Sequence, residues 1–355
     1  WVASQNGHTD TVTELARLGA NVHAVEQKGQ SALMVALEGG RADTAAHLLE
    51  SLHADAGALT SYGASCLHFA AGAPMDADSP CRVVELVLEH GGSSSLELRD
   101  AVVGWTPMHW AVCVGNESAA HCMLDKTEAA GPAQGERLKQ LKRDVRGVEE
   151  APLAVFRGLP WHAKLDAETG SVEFMAWSTV RAKHMCPPGA KGYYEIEIVE
   201  LDSLAFQFGF VTAAFERERG RSNIGVGGDD SSWAVDGVRQ QAWHKLEGKT
   251  TKTYPCEWKA GDVVGLACDL EAMQMLVSVN GSFDAPNGLV FELDASAAEA
   301  CLFPAFSGKT GTVRCNLGDR PLLYQPPSPS FSAFYDFDRV HVERGGMAAA
   351  AQDEA

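Results

Sequence analysis

The sequence predicts a multidomain α+β protein in which a helical solenoid is followed by an antiparallel β-sandwich. Two observations carry that expectation. Over the first 124 residues one short signature recurs at a spacing of about 33, and from about residue 151 the hydrophobic period changes from 3.6 to 2.

The recurring signature is Gly29-Gln30-Ser31-Ala32-Leu33-Met34-Val35-Ala36, then Gly63-Ala64-Ser65-Cys66-Leu67-His68-Phe69-Ala70, then Gly104-Trp105-Thr106-Pro107-Met108-His109-Trp110-Ala111. The aligned alanines lie 34 and 41 residues apart, and Ala3, 33 residues before Ala36, places the second half of an earlier unit at the start of the chain. Each unit spells a turn and two short helices that cannot bury an apolar face alone, so neighbours must stack. Ser31, Ser65 and Thr106 sit where a hydroxyl caps the first helix of a unit, and Pro107 takes a first-turn position that needs no N–H. Gly7, Gly40 and Gly115 are placed to end that helix in a left-handed conformation.

This pattern resembles the ankyrin repeat, most closely at Thr106-Pro107-Met108-His109 and Gly19-Ala20-Asn21-Val22. The resemblance spans residues 1–124 and begins with a truncated repeat. Met34 stands where the family has histidine, Ala32 and Cys66 stand where it has proline, and residues 74–80 insert an extra loop in the third unit. In residues 125–150, Leu138, Leu141 and Val145 fall at helical spacing among charges, which predicts a linker with a short amphipathic helix against the last repeat.

Beyond residue 151, Tyr193-Tyr194-Glu195-Ile196-Glu197-Ile198-Val199 alternates as a half-buried strand does, and further β-rich runs follow at 205–211, 263–269, 275–279 and 313–317. Asn280-Gly281, after a β run, predicts a tight turn, because both residues tolerate positive φ. The ordered motifs Phe208-Gly209-Phe210, Ile224-Gly225-Val226-Gly227, Ser232-Trp233-Ala234-Val235-Asp236-Gly237, Trp258-Lys259-Ala260-Gly261-Asp262-Val263-Val264-Gly265, Val279-Asn280-Gly281 and Leu302-Phe303-Pro304-Ala305 resemble the SPRY domain, the sandwich core of B30.2 modules. The expected sandwich covers residues 151–327, with 328–355 as a C-terminal extension and loose tail.

Composition narrows the functions. The chain carries 29 basic and 47 acidic residues, a net charge of −18, shared as 5 against 14 over residues 1–124 and 18 against 27 over 151–355. Neither part is the concentrated cationic surface that nucleic acid requires, and the apolar runs fall far short of the roughly 20 residues a bilayer span needs. Nine cysteines with no Cys-x-x-Cys pair match neither a disulfide framework nor a zinc site, and predict free thiols in a reducing, cytoplasmic setting. Asn116-Glu117-Ser118 and Asn280-Gly281-Ser282 match the glycosylation pattern by chance in loops. The chain opens at Trp1 without a targeting segment, and the expectation is an excerpt of a longer polypeptide.

Chemistry-bearing motifs are sparse. Gly248-Lys249-Thr250 and Gly308-Lys309-Thr310 lack the first glycine of a phosphate loop, and neither a Gly-x-Ser-x-Gly elbow nor a His-Glu-x-x-His helix occurs. Gly225-Val226-Gly227-Gly228-Asp229-Asp230 lacks the alternate oxygen ligands of a calcium loop and reads as a strand end and turn. His68 and His109 fit a structural role satisfying backbone groups, and Phe69 and Trp110 fit the core between helices. No catalytic, cofactor or metal residues are assigned.

Both resemblances imply protein recognition. On the solenoid the candidates are the turn residues Gln27, Lys28, Gln30, Tyr62 and Trp105, with Tyr62 and Trp105 open to either partner contact or local packing. On the sandwich they are Arg217, Arg219, Arg221, Asp229 and Asp230, either reading a peptide segment or forming a self-paired solvated loop. The expected function is a non-catalytic intracellular adaptor that uses the concave ankyrin face and the SPRY loops. The alternatives are the substrate-recognition part of a ubiquitin ligase, or a regulatory or structural segment of a larger enzyme, channel or complex.

Overall fold

The computed structural model describes residues 1–337 apart from 74–79, 128–131, 150, 159, 167, 203–204, 216–223, 246–251, 295–296 and 298–299. It divides into two compact units, Trp1–Glu149 and Glu150–Ala355.

In the first unit an inner row of helices, α1 (Val2–Gln5), α3 (Ala32–Glu38), α5 (Cys66–Ala71) and α7 (Pro107–Cys113), stacks beside an outer row, α2 (Thr9–Arg17), α4 (Ala42–Glu50), α6 (Pro80–Glu89) and α8 (Glu117–Leu124). The inner helices begin as the sequence predicts. Ser31 Oγ accepts from Met34 N at 3.2 Å, and Ser65 and Thr106 form capping boxes in which the backbone N–H donates to Nδ1 of His68 and His109 at 3.1 and 3.2 Å. Where Met34 replaces the histidine, its sulfur takes the same place, 3.5 Å from Ser31 N. Gly7, Gly40 and Gly115 follow the inner helices at φ 78°, 64° and 78°, the left-handed termination expected. Phe69 and Trp110 are buried edge to face with ring centroids 5.7 Å apart, between neighbouring helices.

The histidines also join one repeat to the next. His68 Nδ1 accepts the helix-start N–H, so Nε2 carries the proton and donates to Trp105 O, 3.1 Å away in the following repeat. His109 has no repeat after it. Helix α9 (Pro132–Glu149) fills that place: Asp144 Oδ2 accepts from His109 Nε2 at 3.3 Å, Lys142 pairs with Glu117 at 2.6 Å, and Leu141 and Val145 are buried. The heptad-like apolar spacing seen in the sequence is therefore the seam that packs α9 on α7.

The second unit holds two open sheets. One runs in the order β1 (Leu153–Arg157), β4 (Ser178–Ala182), β13 (Phe303–Gly308), β6 (Phe206–Val211), β7 (Ser232–Asp236), β8 (Gln241–Trp243), β9 (Lys252–Thr253). The other runs β12 (Gly288–Glu292), β11 (Gln274–Val279), β10 (Val263–Asp269), β5 (Lys191–Glu200), β14 (Gly311–Asn316), β3 (Ser171–Phe174), β2 (Ala163–Asp166). These neighbours are all antiparallel, whereas β15 (Ser332–Ala333) pairs in parallel with β5. Between the sheets lie Tyr194, Phe206, Phe208, Phe210, Trp233 and Trp258, with Phe208 and Trp258 stacked at 4.7 Å. Trp233 is core, as its motif implies. Asn280 and Gly281 adopt φ 51° and 81° in a two-residue turn bridged by Val279 and Ser282. Thr310, in the sequence that imitates a phosphate loop, donates its hydroxyl to Asp202 O at 2.6 Å in a plain turn between β13 and β14.

Residues expected as an extension close this sandwich. Phe334 is fully buried against Tyr194 and Phe210, and the preceding loop is clamped by Glu195, a buried carboxylate that accepts from Leu323 N and Tyr324 N, both at 2.8 Å. No described helix is long and apolar enough to cross a membrane.

Burial pushes His68 down to about 4 from an ordinary 6.5, and lowers His109 against the pull of Asp144. The unfolded chain therefore takes up a proton that the folded one refuses, so stability is lost as pH falls from 6.5 toward 4 and is unaffected above 7. His68 alone contributes on the order of 3 kcal/mol to that loss. His68→Gln keeps a capping-box acceptor but cannot titrate. Urea denaturation at pH 7, 5.5 and 4 is expected to show a variant weakened by about 1 kcal/mol at pH 7, through loss of the inter-repeat bond to Trp105 O, which keeps its bond from Asp100 N at 2.9 Å, with a shallower decline toward pH 4.

Candidate protein-binding surfaces

The turns that precede the inner helices are built on one side-chain acceptor each. Glu26 Oε1 accepts from Lys28 N and Gln30 N at 2.8 and 3.1 Å, and Thr60 Oγ1 accepts from Ala64 N at 3.0 Å. Asp100 accepts from Val102 N and Val103 N at 2.8 Å, from Trp105 N at 3.1 Å and from Trp110 Nε1 at 3.0 Å. Adjacent turns are joined by Ser61 N to Lys28 O at 2.9 Å, Ser61 Oγ to the same oxygen at 2.9 Å, and Ala101 N to Tyr62 O at 2.8 Å. The result is a row of fingers with a hydrogen-bonded spine.

On this row Gln27 is exposed, and Lys28 and Gln30 are half-buried. Of the two alternatives left open for the aromatic candidates, the structure favours local packing: Tyr62 is 9% exposed and Trp105 only 3%. The turn places their backbones at the surface, but each ring folds under its finger. Tyr62 Oη accepts from Gln30 Nε2 at 3.3 Å, burial pushes its phenol up to about 12, and Trp105 stacks on His109 at 6.1 Å. What the fingers do expose is Val25, at 55%, and Leu59, at 50%. Both precede the turn acceptor by one residue, 34 positions apart, and each bridges to the cap serine of its own helix. A lone apolar residue recurring in a polar turn was the available signal.

On the sandwich, Arg217, Arg219 and Arg221 lie outside the described residues. Asp229 does not point to a partner as an isolated charge: its Oδ1 accepts from Ser231 N, Ser231 Oγ and Ser232 Oγ at 3.2, 3.0 and 2.6 Å and shapes the turn into β7. Asp230 is exposed and lies within electrostatic reach of Lys245, which pairs with Asp294 at 2.8 Å. His244 stacks on Trp233 at 4.9 Å and bonds Ser232 O through Nδ1 at 2.8 Å.

The strand β6 is buried on both faces, which means that the outer face of its sheet is also covered. Across that face Ser307 stands opposite Thr179 and Gln207, and Ala305 opposite Arg181 and Gly209. Residues 225–228 lie flat on it, with Val226 N donating to Ser307 Oγ at 2.9 Å. Glycine is required for that approach, since a Cβ on Gly225 would overlap Gln207 Oε1 and come within 2.7 Å of the Trp177 ring. The glycine-rich run is thus a strap on the sheet. Around it the surface offers Trp177 and Phe303, half-buried, with Arg181 3.9 Å over Phe156 and 4.4 Å over Phe303, and Arg239 4.5 Å over Trp243. Ile224, at one end of the strap, is exposed. Arg239 is also paired with the buried Asp236 at 2.5 Å. Among the described residues no group of three or more His, Cys, Asp or Glu side chains is arranged to hold a metal ion.

Gly225→Ala is expected to lower the stability of the second unit by roughly 1–3 kcal/mol through this overlap. Adding Gln207→Ser, which removes the struck atom, is expected to recover part of the loss, as a double-mutant cycle by chemical denaturation will read.

The family comparisons agree with these two architectures. The model for ankyrin repeats in three copies matches residues 1–92, and the SPRY domain model matches residues 191–320. The crystal structure of the SPRY domain of human HERC1 is similar at 15% identity and a TM-score of 0.35, over 45% of this chain and 94% of that one. Both modules are in general protein-interaction domains, and this chain carries ankyrin repeats over residues 1–92 and, after them, a SPRY domain over residues 191–320.

Proposed function

We propose that this chain is a non-catalytic adaptor that holds one protein on the finger row of its ankyrin unit and another on the strapped outer face of its sandwich. The observation that carries the reading is the finger row itself, where Val25, Leu59 and Gln27 stand exposed on a spine fixed by side-chain and inter-repeat hydrogen bonds. Rigid presentation of apolar and amide groups lowers the entropic cost of binding an extended segment. The titratable groups of this row serve structure: His68 and His109 are held neutral by burial, and Asp100 is saturated with donors. For the sandwich, Arg239, Asp230 and Ile224 around the strap are the candidate contacts, together with Arg217, Arg219 and Arg221. Two sites on one chain raise the effective concentration of one partner near the other without new chemistry.

A reducing, cytoplasmic setting is part of the proposal, supported by nine cysteines that are all free thiols. The test is affinity capture from cell extract with the whole chain and two variants, Val25→Asp with Leu59→Asp, and Ile224→Asp with Arg239→Glu. Each is expected to lose a different set of partners by tenfold or more while the other set is retained. Capture of the same proteins by the wild type and both variants would sink the assignment of both surfaces.

A further inference from the structure

The geometry points to an oxidisable thiol pair, Cys81 and Cys122, that a hydroperoxide converts to a disulfide linking the outer helices of two successive repeats. Cys81 lies in the first turn of α6 and Cys122 in α8, and these helices run side by side in the outer row. The Cys122 side chain lies near enough to Cys81 to ease its ionisation, and the two side chains share one groove between the helices. Both are half-exposed and both line a groove of about 580 Å³ between the helices, which also holds Glu85, Glu89, His121 and Lys126. A dissolved hydroperoxide therefore has access to both sulfurs at once.

No other described pair combines these properties. Cys186 and Cys268 also touch, but both are fully buried in the sandwich core. Cys66, Cys113 and Cys315 are buried too, and the half-exposed Cys256 donates to Asn287 Oδ1 at 2.9 Å.

The chemistry balances as two displacements. The Cys81 thiolate attacks one oxygen of ROOH, an S–O bond forms as O–O breaks, and the alkoxide takes the thiol proton and leaves as ROH. Cys122 then attacks the Cys81 sulfenic sulfur, the S–S bond forms, and hydroxide departs with the Cys122 proton as water. Two thiols and one hydroperoxide give one disulfide, one alcohol and one water, the sulfurs losing the two electrons that the peroxide gains. Burial pushes Cys122 up to about 11 and raises Cys81, with Glu85 adding to both. The pair is accordingly a slow responder to sustained peroxide, since the thiolate is the reacting form. The bond closes a loop of about 40 residues and restrains the unfolded chain.

The experiment uses the full chain, reduced, freed of reductant and exposed to hydrogen peroxide, followed by a non-reducing peptide map. The expected result is a Cys81–Cys122 linked peptide as the main new species, reversed by dithiothreitol, with the thermal midpoint of the repeat unit raised by roughly 5 °C or more. In Cys122→Ser, Cys81 is expected to stop at the sulfenic acid and to be trapped by dimedone, whereas Cys81→Ser gives neither product. Alkylation of both thiols after peroxide, or sulfenic and sulfinic acids with no link in the wild type, would overturn the proposal. The wild-type map decides the matter even where a serine variant fails to fold.

Discussion

In the repeat unit a single ring, the imidazole of His68, meets three demands at once. Its Nδ1 accepts the N–H that starts α5, its Nε2 donates to a carbonyl of the following repeat, and its edge lies against Trp110 at 5.1 Å. Helices of six or seven residues are marginal in isolation, because nucleation costs more than so few hydrogen bonds return. Tying the start of one helix to the backbone of the next unit makes each helix depend on its neighbour, and that dependence gives the stack its cooperativity. Where Met34 stands instead, the sulfur still receives the helix-start N–H, and the link to the next repeat is carried through Ser61 and Lys28 on the fingers.

The sandwich depends on a different constraint, the double burial of β6. Its inward side supplies Phe206, Phe208 and Phe210 to the core, while Gln207, Gly209 and Val211 face out into a second cluster with Phe156, Phe215 and Ala305. A sheet buried on both sides needs a cover, and the glycine-rich strap provides it at a distance at which a side chain at residue 225 would crowd Gln207 and Trp177. The surface proposed for a partner is thus the rim of that cover, where stacked arginines and exposed Ile224 lie, and not the sheet itself.

Periodicity made the architecture legible: a 33-residue recurrence for the solenoid, and alternation over residues 193–199 with Asn280-Gly281 for the sandwich. Cap residues and helix-ending glycines followed from local chemistry, and the core tryptophans from the family resemblances. The rest was hidden wherever a side chain's fate depends on a segment far along the chain. Glu195 reads as the solvent-facing member of an alternating strand, yet residues 323–324 fold over it and make it an anchor. Tyr62 and Trp105 stay open between partner contact and packing in the sequence because a turn fixes where the backbone goes but not which way a ring packs. Val25 and Leu59 are harder to read because each is a single apolar residue in a polar turn, and only their 34-residue spacing marks them.

The parallel pairing of β15 with β5 joins residues about 140 positions apart, and it sets Phe334 into the core as its last large ring. During synthesis the repeats can add one at a time as they leave the ribosome, each settling on the one before. The sandwich cannot finish in that way, because its central strand β5 waits for a partner about 140 residues further along the chain. The two units of this chain therefore reach their native state on different schedules, one by growth and the other by closure.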